Sequence, residues 1–351
     1  MRYKRRFARA AAATLATTAL AVTGLIGLAP SAGAATQTCA YRPSQMPVPS
    51  GATAGAVTAT AGTDLFAGEI EYPVSGRTTK KHAALWSDGK VTDLGTVPDA
   101  DYILGVNDMN ASGTVVGYGW KLTGSSEGWP MGNNFPFRSS NGKLERLPVP
   151  EGAHDVVARA ITANGDIYGD DPNHRTAYFW PADKPGTVTQ PAGFPVGSRV
   201  EGVDTDGTVA VTAVSDVEGT TRAYLWKGGV AKALAMPAGA TNSTISSISG
   251  GTVVGDGQTA DFGRFAVAWG KDGRPSRLPD GYGTSDVNST GLILGSSAKS
   301  HSAKLWQGAS TLTTVKGDGQ FYTLGDDGTL GGANAPVGTT YPRFPAVWRC
   351  S

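Results

Sequence analysis

The sequence predicts an all-β fold, a seven-bladed β-propeller of four-stranded antiparallel blades, in which an N-terminal strand joins the C-terminal blade and closes the ring. Two repeated elements lead to this prediction. A short apolar phrase ending in tryptophan recurs along the chain, and a Gly-x-apolar-x-Gly run recurs between its copies. Recurrence at intervals of about 37 to 52 residues is typical of a ring of small β-units.

The tryptophan phrase sets the number of units. It occurs at 83–86, 177–180, 223–226, 266–269, 303–306 and 345–348. Phe137 and Arg138 stand at the matching place in the second unit, which raises the count of anchors to seven. Divided among seven units, residues 35–351 give about 45 residues per unit, which is the usual length of a propeller blade.

The glycine run identifies the first two strands of each unit. It follows an apolar residue and a polar turn at 109–117, 161–169 and 287–295, with looser copies at 203–209, 248–255 and 324–332. Asn, Asp, Ser and Gly tolerate the left-handed conformation of a tight hairpin. Each unit therefore reads as strand A, a hairpin turn, strand B with the glycine run, strand C with the tryptophan, and strand D.

The N-terminal segment is predicted to be a signal peptide, 1–34. Three basic residues, Lys4, Arg5 and Arg6, precede an uncharged stretch at about 10–28, and Ala32-Gly33-Ala34 has the form of a cleavage site. The stretch is also long enough for a thin membrane anchor, but the cleavage site favours removal. We therefore expect a secreted, extracellular protein whose single domain spans 35–351.

Composition excludes several classes of function. The 49 glycines and 21 prolines favour short strands and turns over helices. The formal net charge of +1 offers no basic field that would attract nucleic acid or, after signal cleavage, a membrane. No Cys/His set has zinc spacing, and no nucleophile elbow or phosphate-binding loop occurs. The sequence predicts no metal and no cofactor.

Read together, the repeats resemble the bacterial extracellular HAF-repeat family. Its units read roughly His-Ala-Phe-Leu-Trp, a Gly-containing turn, Asp-Leu-Gly, then Ile-Asn-x-x-Gly-x-Val-x-Gly. The nearest match runs from His82 to Trp86 and on through Asp93-Leu94-Gly95. The resemblance spans essentially all of 35–351 and implies a secreted, WD40-like β-propeller.

The two chain ends predict how the ring closes. The last unit lacks a strand D, and the segment Met46–Ala52 matches Leu147–Ala153, which ends a strand D. The N-terminal segment is therefore predicted to be the outer strand of the last blade, which removes an exposed sheet edge. Cys39 and Cys350, the only cysteines, flank this junction, so we expect a disulfide between them; the alternative is two free thiols.

Four acidic residues are the candidate catalytic groups. Asp101, Asp155, Glu201 and Asp286 are each predicted to begin a strand A, which would bring them to the mouth of the central tunnel. Glycoside hydrolysis uses a pair of carboxylates. The alternative is that the four are solvated turn residues.

Five further residues are candidate ligand contacts. Trp120, Trp129 and Met131 lie in the segment 120–136, predicted to be a loop inserted between strands B and C of the second blade. Exposed aromatic rings stack on sugars or anchor protein partners, unless they fold back on the blade. Arg159 is a charge inside an inner strand that contacts a ligand or faces water, and His154, next to Asp155, precedes the same inner strand.

Two functions remain open. The sequence favours a monomeric, non-catalytic recognition module that binds an extracellular glycan or protein through one propeller face. The alternative is a carbohydrate-active enzyme, a glycoside hydrolase or polysaccharide lyase, that uses carboxylates at the tunnel mouth.

Overall fold

The computed structural model describes residues 40–74, 79–126, 129–215, 219–300, 302–317, 319–336 and 338–351. All of them lie in one compact unit, 38–351. Within this part of the chain no helix is long and apolar enough to cross a bilayer. The predicted signal peptide, 1–34, lies outside the described residues.

The strands form seven antiparallel sheets, each built from consecutive strands except the last. Blade 1 contains β2 (Ala54–Thr60), β3 (Leu65–Pro73), β4 (Thr79–Ser87) and β5 (Lys90–Gly95); blade 2 contains β6 (Tyr102–Met109), β7 (Val115–Ser126), β8 (Trp129–Ser140) and β9 (Lys143–Arg146); blade 3 contains β10 (Val157–Ile161), β11 (Ile167–Asp171) and β12 (Thr176–Trp180); blade 4 contains β13 (Arg199–Val203), β14 (Val209–Val214), β15 (Thr221–Lys227) and β16 (Val230–Ala233). Blade 5 contains β17 (Asn242–Ser249), β18 (Thr252–Gln258), β19 (Arg264–Trp269) and β20 (Pro275–Arg277); blade 6 contains β21 (Gly281–Val287), β22 (Leu292–Ser297), β23 (Ala303–Gln307) and β24 (Ser310–Thr314); blade 7 contains β25 (Gln320–Leu324), β26 (Leu330–Asn334), β27 (Phe344–Cys350) and the N-terminal β1 (Tyr41–Gln45). The predicted all-β, seven-bladed propeller is confirmed.

The ring closes through the two ends of the domain, as predicted. Strand β1 pairs antiparallel with β27, from Tyr41 opposite Cys350 to Gln45 opposite Ala346. The pairing therefore covers the outer edge of the last blade. Cys39 lies outside the described residues, so the Cys39–Cys350 disulfide stays a prediction.

The hydrophobic core is divided among the contacts between blades. The buried apolar residues of the described chain form seven clusters, and each cluster joins two neighbouring blades around the ring. In a small β-barrel one closed sheet encloses the buried side chains, whereas here each sheet packs face to face on the next one. Stability therefore resides in contacts between neighbours, as in other repeat proteins.

The repeated tryptophan forms a hydrogen bond to the preceding blade. In five blades its indole N–H donates to a backbone carbonyl in the connection that leaves strand D of the preceding blade. These bonds, of 2.7–3.1 Å, are Trp86 to Pro47, Trp180 to Pro148, Trp226 to Ala192, Trp269 to Ala235 and Trp306 to Pro279. Blade 2 has the buried Phe137 at this place, which fills the interface but has no N–H to donate.

The glycine run reflects a close approach between strands A and B. A Cβ added to Gly117 would lie 2.1 Å from the carbonyl oxygen of Gly105, and one on Gly169 would lie 2.0 Å from that of Val157. A side chain of any size at these positions would push the strands apart, so glycine is favoured.

Two segments depart from the predicted pattern. Blade 3 has three strands, and its fourth is reduced to a single bridge between Phe179 and Thr189. The segment that follows β12 contains four prolines, Pro181, Pro185, Pro191 and Pro195, which cannot donate to a sheet. The predicted loop 120–136 is also corrected: β7 and β8 continue through it as a long hairpin, paired from Val116 opposite Arg138 to Ser126 opposite Trp129.

Candidate functional site

The propeller has two faces, which differ in their connections. We call the face that carries the B–C and D–A connections the upper face, and the face that carries the A–B and C–D turns the lower face. The A–B turns of the lower face are short and rich in Gly, Asn, Asp and Thr. The upper face carries the β7–β8 hairpin, the proline-rich connection that enters β13 and the glycine-containing connection that enters β25.

Every inner strand contains a β-bulge at the same place. At this place the pairing between strands A and B skips one residue in each blade, which leaves that residue unpaired; in blades 2 and 6 a second residue, nearer the start of strand A, is skipped as well. We call these seven residues the bulge ring: Thr58, Asn107, Arg159, Glu201, Ser246, Ser285 and Tyr322. All seven carry polar groups, and all line a central cavity of about 460 Å³ that extends to the A–B turns. The bulges therefore direct one polar side chain per blade into the tunnel.

Part of the bulge ring ties neighbouring blades together. Strand A is the inner edge of each sheet, so its open side needs hydrogen-bond partners from outside the sheet. Thr58 Oγ1 donates to the carbonyl of Val106 at 2.8 Å, and Asn107 Nδ2 donates to that of Ala158 at 2.7 Å. These two side chains therefore join blade 1 to blade 2 and blade 2 to blade 3.

Acceptors on strand B complete the edge of the next blade. The acceptor is the side chain that follows the glycine position of strand B. It accepts a hydrogen bond from strand A of the following blade, from the backbone N–H of the residue just before the bulge. The four pairs, at 2.8–3.3 Å, are Glu69 with Val106, Asp170 with Val200, Thr212 with Ile245 and Asp256 with Thr284. Two of these carboxyls, Asp170 and Asp256, have a pKa raised by burial, against the opposing effect of an arginine partner.

The candidate Arg159 is held by such a carboxyl. Its guanidinium lies 3.2–3.3 Å from the oxygens of Asp170, which is fully buried. Arg159 lines the tunnel as expected, but its hydrogen-bonding fork is engaged with Asp170. Its first role in this structure is therefore to compensate a buried charge.

The four candidate carboxylates do not share one place. Asp101 and Asp155 directly precede strands A of blades 2 and 3, as predicted, whereas Glu201 and Asp286 lie inside β13 and β21. Only Glu201 and Asp286 line the central cavity. None of the four meets the whole expectation of beginning an inner strand at the tunnel mouth: Asp101 and Asp155 precede their strands but do not line the cavity. Glu201 and Asp286 line the cavity but lie inside their strands, because β13 and β21 start two and five residues earlier than the sequence pattern indicated.

Asp101 and Asp155 act as local hydrogen-bond acceptors on the upper face. Asp101 accepts the N–H of Leu122 at 2.7 Å, at the base of the β7–β8 hairpin. Asp155 accepts the side-chain amide of Asn173 and forms a parallel bridge with Asn134. Each carboxylate thus fixes the backbone of a neighbouring connection.

Asp286 and an acid that sequence reasoning missed, Asp108, occupy the same position in blades 6 and 2. Asp286 accepts four hydrogen bonds, two of them from the N–H groups of Val287 and Leu324. Asp108 accepts the N–H groups of Met109 and Ile161 at 2.8 and 2.9 Å. Burial raises the pKa of Asp286, and it raises that of Asp108 to about 7. Both bind the open edge of the following blade.

Glu201 is a tunnel carboxylate held by side chains of its own blade. It lies 3.3 Å from the guanidinium of Arg199 and interacts with Thr212. Burial raises the pKa of Glu201 to about 7, although Arg199 opposes this shift. Its environment therefore differs from that of a surface residue, as does that of Asp286.

Exposed apolar and aromatic side chains are concentrated on the upper face. Of the eleven large hydrophobic side chains that are exposed in the described chain, nine belong to it: Val74, Leu122, Met131, Val196, Val214, Phe262, Tyr282, Tyr322 and Tyr341. The other two, Val230 and Leu312, lie on the outer strands β16 and β24. Unequal exposure of this kind is typical of an interaction surface.

The candidates of the segment 120–136 lie on this face with unequal exposure. Trp120 is half-buried and packs on Tyr102, with ring centroids 5.3 Å apart, so it folds back onto the blade. Met131 is exposed near the tip of the hairpin. Trp129 begins β8, and its side chain lies outside the described part of the chain. His154 is exposed beside Asp155.

Two clefts open on the upper face around blade 7. The 6–7 cleft, of about 540 Å³, contains Ser285, Gln320, Tyr322 and Arg343 in its lining. The 7–1 cleft, of about 560 Å³, is lined by Gln320, Tyr322 and Arg343 as well. Its lining also contains a group of residues that we call the Lys81 cluster: Lys81, Glu69, Glu71 and Tyr341. Tyr322 also lines the tunnel, so this one side chain stands where both clefts and the central cavity meet.

The Lys81 cluster supplies the charges of the 7–1 cleft. Lys81 Nζ lies 2.8 Å from a carboxylate oxygen of Glu69 and 3.8 Å from one of Glu71. The hydroxyl of Tyr341 donates to Glu71 at 3.3 Å. The two acids therefore already have partners within the cleft wall.

Arg343 is the one side chain of this region with an unmet hydrogen-bonding group. Its Nε donates to the carbonyl of Thr340 at 3.1 Å, while its Nη1 is buried and has no hydrogen-bond partner among the described residues. Sequence reasoning missed Arg343 because it lies in a B–C connection that matches no repeated element.

Comparisons with known proteins support the fold. No protein-family model matches the chain, and no curated protein matches it. Among solved structures, it is similar to virginiamycin B lyase from Staphylococcus aureus, with 13% identity, a TM-score of 0.56, and coverage of 89% of this chain and 98% of that one. It is also similar to the β-propeller domain of the Trilobed protease from Pyrococcus furiosus, with 9% identity, a TM-score of 0.54, and coverage of 86% and 94%.

The acylaminoacyl peptidase of Pyrococcus horikoshii is a third structural neighbour, with 10% identity and a TM-score of 0.55. The match covers 85% of this chain and 51% of the peptidase, so this chain spans about half the length of that enzyme. At such identities the likeness shows a shared propeller fold alone. The Trilobed protease domain has an open velcro topology, whereas here β1 pairs with β27.

Proposed function

We propose that this protein is a secreted, non-catalytic recognition module that binds an extracellular glycan through its upper face. The observation that carries the proposal is the pair of clefts that meet at Tyr322. Their walls combine hydroxyl, amide and charged groups with the exposed rings of Tyr322 and Tyr341. Hydrogen-bonding groups beside an exposed aromatic ring match the two aspects of a sugar, its hydroxyls and its apolar face.

The mixed lining favours a glycan over a protein partner. A protein interface buries a broad apolar centre, whereas the exposed apolar residues of the upper face are spread over several connections. The polar groups, by contrast, converge in the clefts. A protein ligand is therefore the alternative outcome of the binding test.

We also propose that the chain belongs with the HAF-repeat proteins. The motif residues of the best-matching unit contact one another. The ring of His82 lies 3.0 Å from Asp93, and Asp93 also accepts the N–H of Gly95. The repeated tryptophans donate hydrogen bonds to the preceding blade in five blades, which gives the repeated phrase a structural role. Export to the extracellular space follows from this proposal and from the predicted signal peptide.

A glycan array tests the proposal with matched variants. Tyr322→Ala and Tyr341→Ala remove rings from the clefts, and Leu312→Ala removes an exposed apolar side chain from the outer strand of blade 6. We expect the wild type and Leu312→Ala to bind the same glycans, and Tyr322→Ala to lose about tenfold or more in affinity, as for a central aromatic contact. Equal binding by all four proteins would contradict the choice of face; capture of a protein in place of any glycan would favour the alternative partner.

One observation favours a second function, that of a glycoside hydrolase or polysaccharide lyase. Glu201 and Asp108 line the same cavity, and both have a pKa of about 7, within the range of a general acid. Against it, Asp108 is occupied by two backbone N–H groups. Turnover of any polysaccharide that Glu201→Gln abolishes would establish this function; turnover by neither protein across a polysaccharide screen would support the binding module.

A further inference from the structure

The 6–7 cleft has a composition suited to one anionic group. Its polar lining includes Ser285, Ser296, Ser302, Gln320 and Thr340. Among the residues that the structure describes, Arg343 is the only charged side chain in that lining. A ligand in this cleft would therefore meet one positive charge surrounded by neutral hydrogen-bonding groups.

The guanidinium of Arg343 lacks the partner that its burial calls for. A buried donor without an acceptor is costly, and more so when it is charged, so native proteins rarely retain one without a reason. The nearby carboxylates do not serve it: Glu69 and Glu71 are held by Lys81 and by Tyr341. Nη1 therefore needs an acceptor, and because this atom is enclosed here, an acceptor from outside the chain reaches it only when the half-buried side chain turns toward the cleft that it lines.

We infer that Arg343 binds the carboxylate of a uronic-acid-containing glycan in the 6–7 cleft. This inference rests on the proposed glycan recognition and specifies the class of glycan. The planar guanidinium matches a carboxylate, to which it donates from two nitrogens. The hydroxyls of Ser285, Ser296 and Ser302 face the ring hydroxyls of the sugar, and the exposed ring of Tyr322 offers a stacking surface at the boundary of the cleft.

The charge of the ligand is tested with one sugar in two forms. Trigalacturonate carries carboxylates, and its methyl ester has the same sugar rings without the charge. Isothermal titration calorimetry on the full protein is expected to show about 10- to 100-fold tighter binding of trigalacturonate than of the ester, the range of a charge-assisted hydrogen bond. Sulfated dextran serves as a third probe, and tighter binding of it than of trigalacturonate would overturn the assignment to a carboxylate.

The residue is tested with three variants. Arg343→Gln should reduce the affinity for trigalacturonate to that for the ester and leave the ester unaffected, and Arg343→Lys, which keeps the charge and loses the fork, should fall between. Arg274→Gln is the matched control, because it removes the same charge from an exposed C–D turn of blade 5, where Arg274 pairs with Asp272. A loss in Arg274→Gln equal to that in Arg343→Gln would attribute the effect to net charge and overturn the inference.

Thermal unfolding without ligand keeps the inference testable if a variant folds poorly. Arg343→Met relieves the cost of the unpartnered, buried Nη1 and loses only the exposed hydrogen bond from Nε to the carbonyl of Thr340, so it should unfold close to the temperature of the wild type or above it. A marked fall would mean that Nη1 has a structural partner, which contradicts the inference. Equal affinity for acid and ester, unaffected by Arg343→Gln, would overturn the inference and leave glycan recognition intact; failure of every acidic and neutral oligosaccharide to bind would overturn the proposed function itself.

Discussion

Arg159 and Asp170 offer a quantitative test of how the blades are held together. Asp170 is fully buried, lies 3.2–3.3 Å from the guanidinium of Arg159 and accepts the N–H of Val200 in the next blade at 2.8 Å. Arg159→Met keeps the unbranched, aliphatic part of the side chain and removes the guanidinium with its charge. The carboxyl is then left buried with only the N–H of Val200 as a partner.

The expected loss follows from the burial of the remaining charge. Removing one partner of a buried ion pair typically costs about 3–5 kcal/mol of unfolding free energy. Arg159→Met/Asp170→Asn should recover at least half of this loss, because the amide oxygen of Asn still accepts the N–H of Val200 without a charge. The difference between single and double variants isolates the coupling between the two side chains.

The loss in Arg159→Met should also depend on pH, with a definite sign. Burial already raises the pKa of Asp170, and Arg159 opposes that shift, so removing Arg159 raises the pKa further. A carboxyl whose pKa is higher in the folded state than in the unfolded state favours folding when it is protonated. The free energy of unfolding therefore falls as pH rises from the unfolded-state pKa through the folded-state pKa. Arg159→Met should therefore lose less stability at pH 5 than at pH 8, whereas the double variant, which has no titrating group at position 170, should lose no more at pH 8 than at pH 5.

Urea denaturation at the two pH values, followed by tryptophan fluorescence, measures these differences. The reasoning is refuted if Arg159→Met costs less than about 1 kcal/mol, below the range for a broken buried pair. It is also refuted if the loss is equal at pH 5 and pH 8, or if the double variant is no more stable than the single one.

Three further predictions concern other contacts. Trp180→Phe removes the indole N–H that donates to Pro148 at 2.7 Å and should cost about 1–3 kcal/mol in urea denaturation, from the lost hydrogen bond and the space left by the smaller ring; an unchanged midpoint would contradict the role of the tryptophan. Glu201→Gln should raise stability more at pH 8 than at pH 5, because burial raises the pKa of Glu201 from 4.5 to about 7 and the wild type therefore loses stability as pH rises through this window; a loss at pH 8 would show that the charge is compensated. Mass analysis of the secreted protein after alkylation without reduction should find Cys39 and Cys350 unlabelled, and two labelled thiols would contradict the disulfide.

The features that the sequence predicted are those that repeat. Trp180 and Gly169 recur because each blade needs the same contact with its neighbour, so the blade number and the strand order follow from their spacing. The partner strand of the last blade was predictable for the same reason, since 46–52 matches 147–153. Repetition thus revealed the scaffold.

The features that the sequence did not predict are those whose residue type varies from blade to blade. A bulge adds one residue to strand A, and Arg159, Glu201 and Tyr322 share a position without sharing any chemistry. The offset also misplaced Glu201 and Asp286, which lie inside their strands. Arg343 stands in a connection, where neither period nor motif gives a signal, and only the packing around it shows that one nitrogen lacks a partner.

The central claim is that the upper face, around Tyr322, is where a glycan binds. Hydrogen–deuterium exchange of the full protein, with and without a glycan that it binds, tests this claim most directly. We expect slower exchange on binding in 319–324 and 338–343, which border the two clefts, and no change in the A–B turns at 61–64 and 325–329. Protection confined to those turns would place the ligand on the lower face and contradict the account.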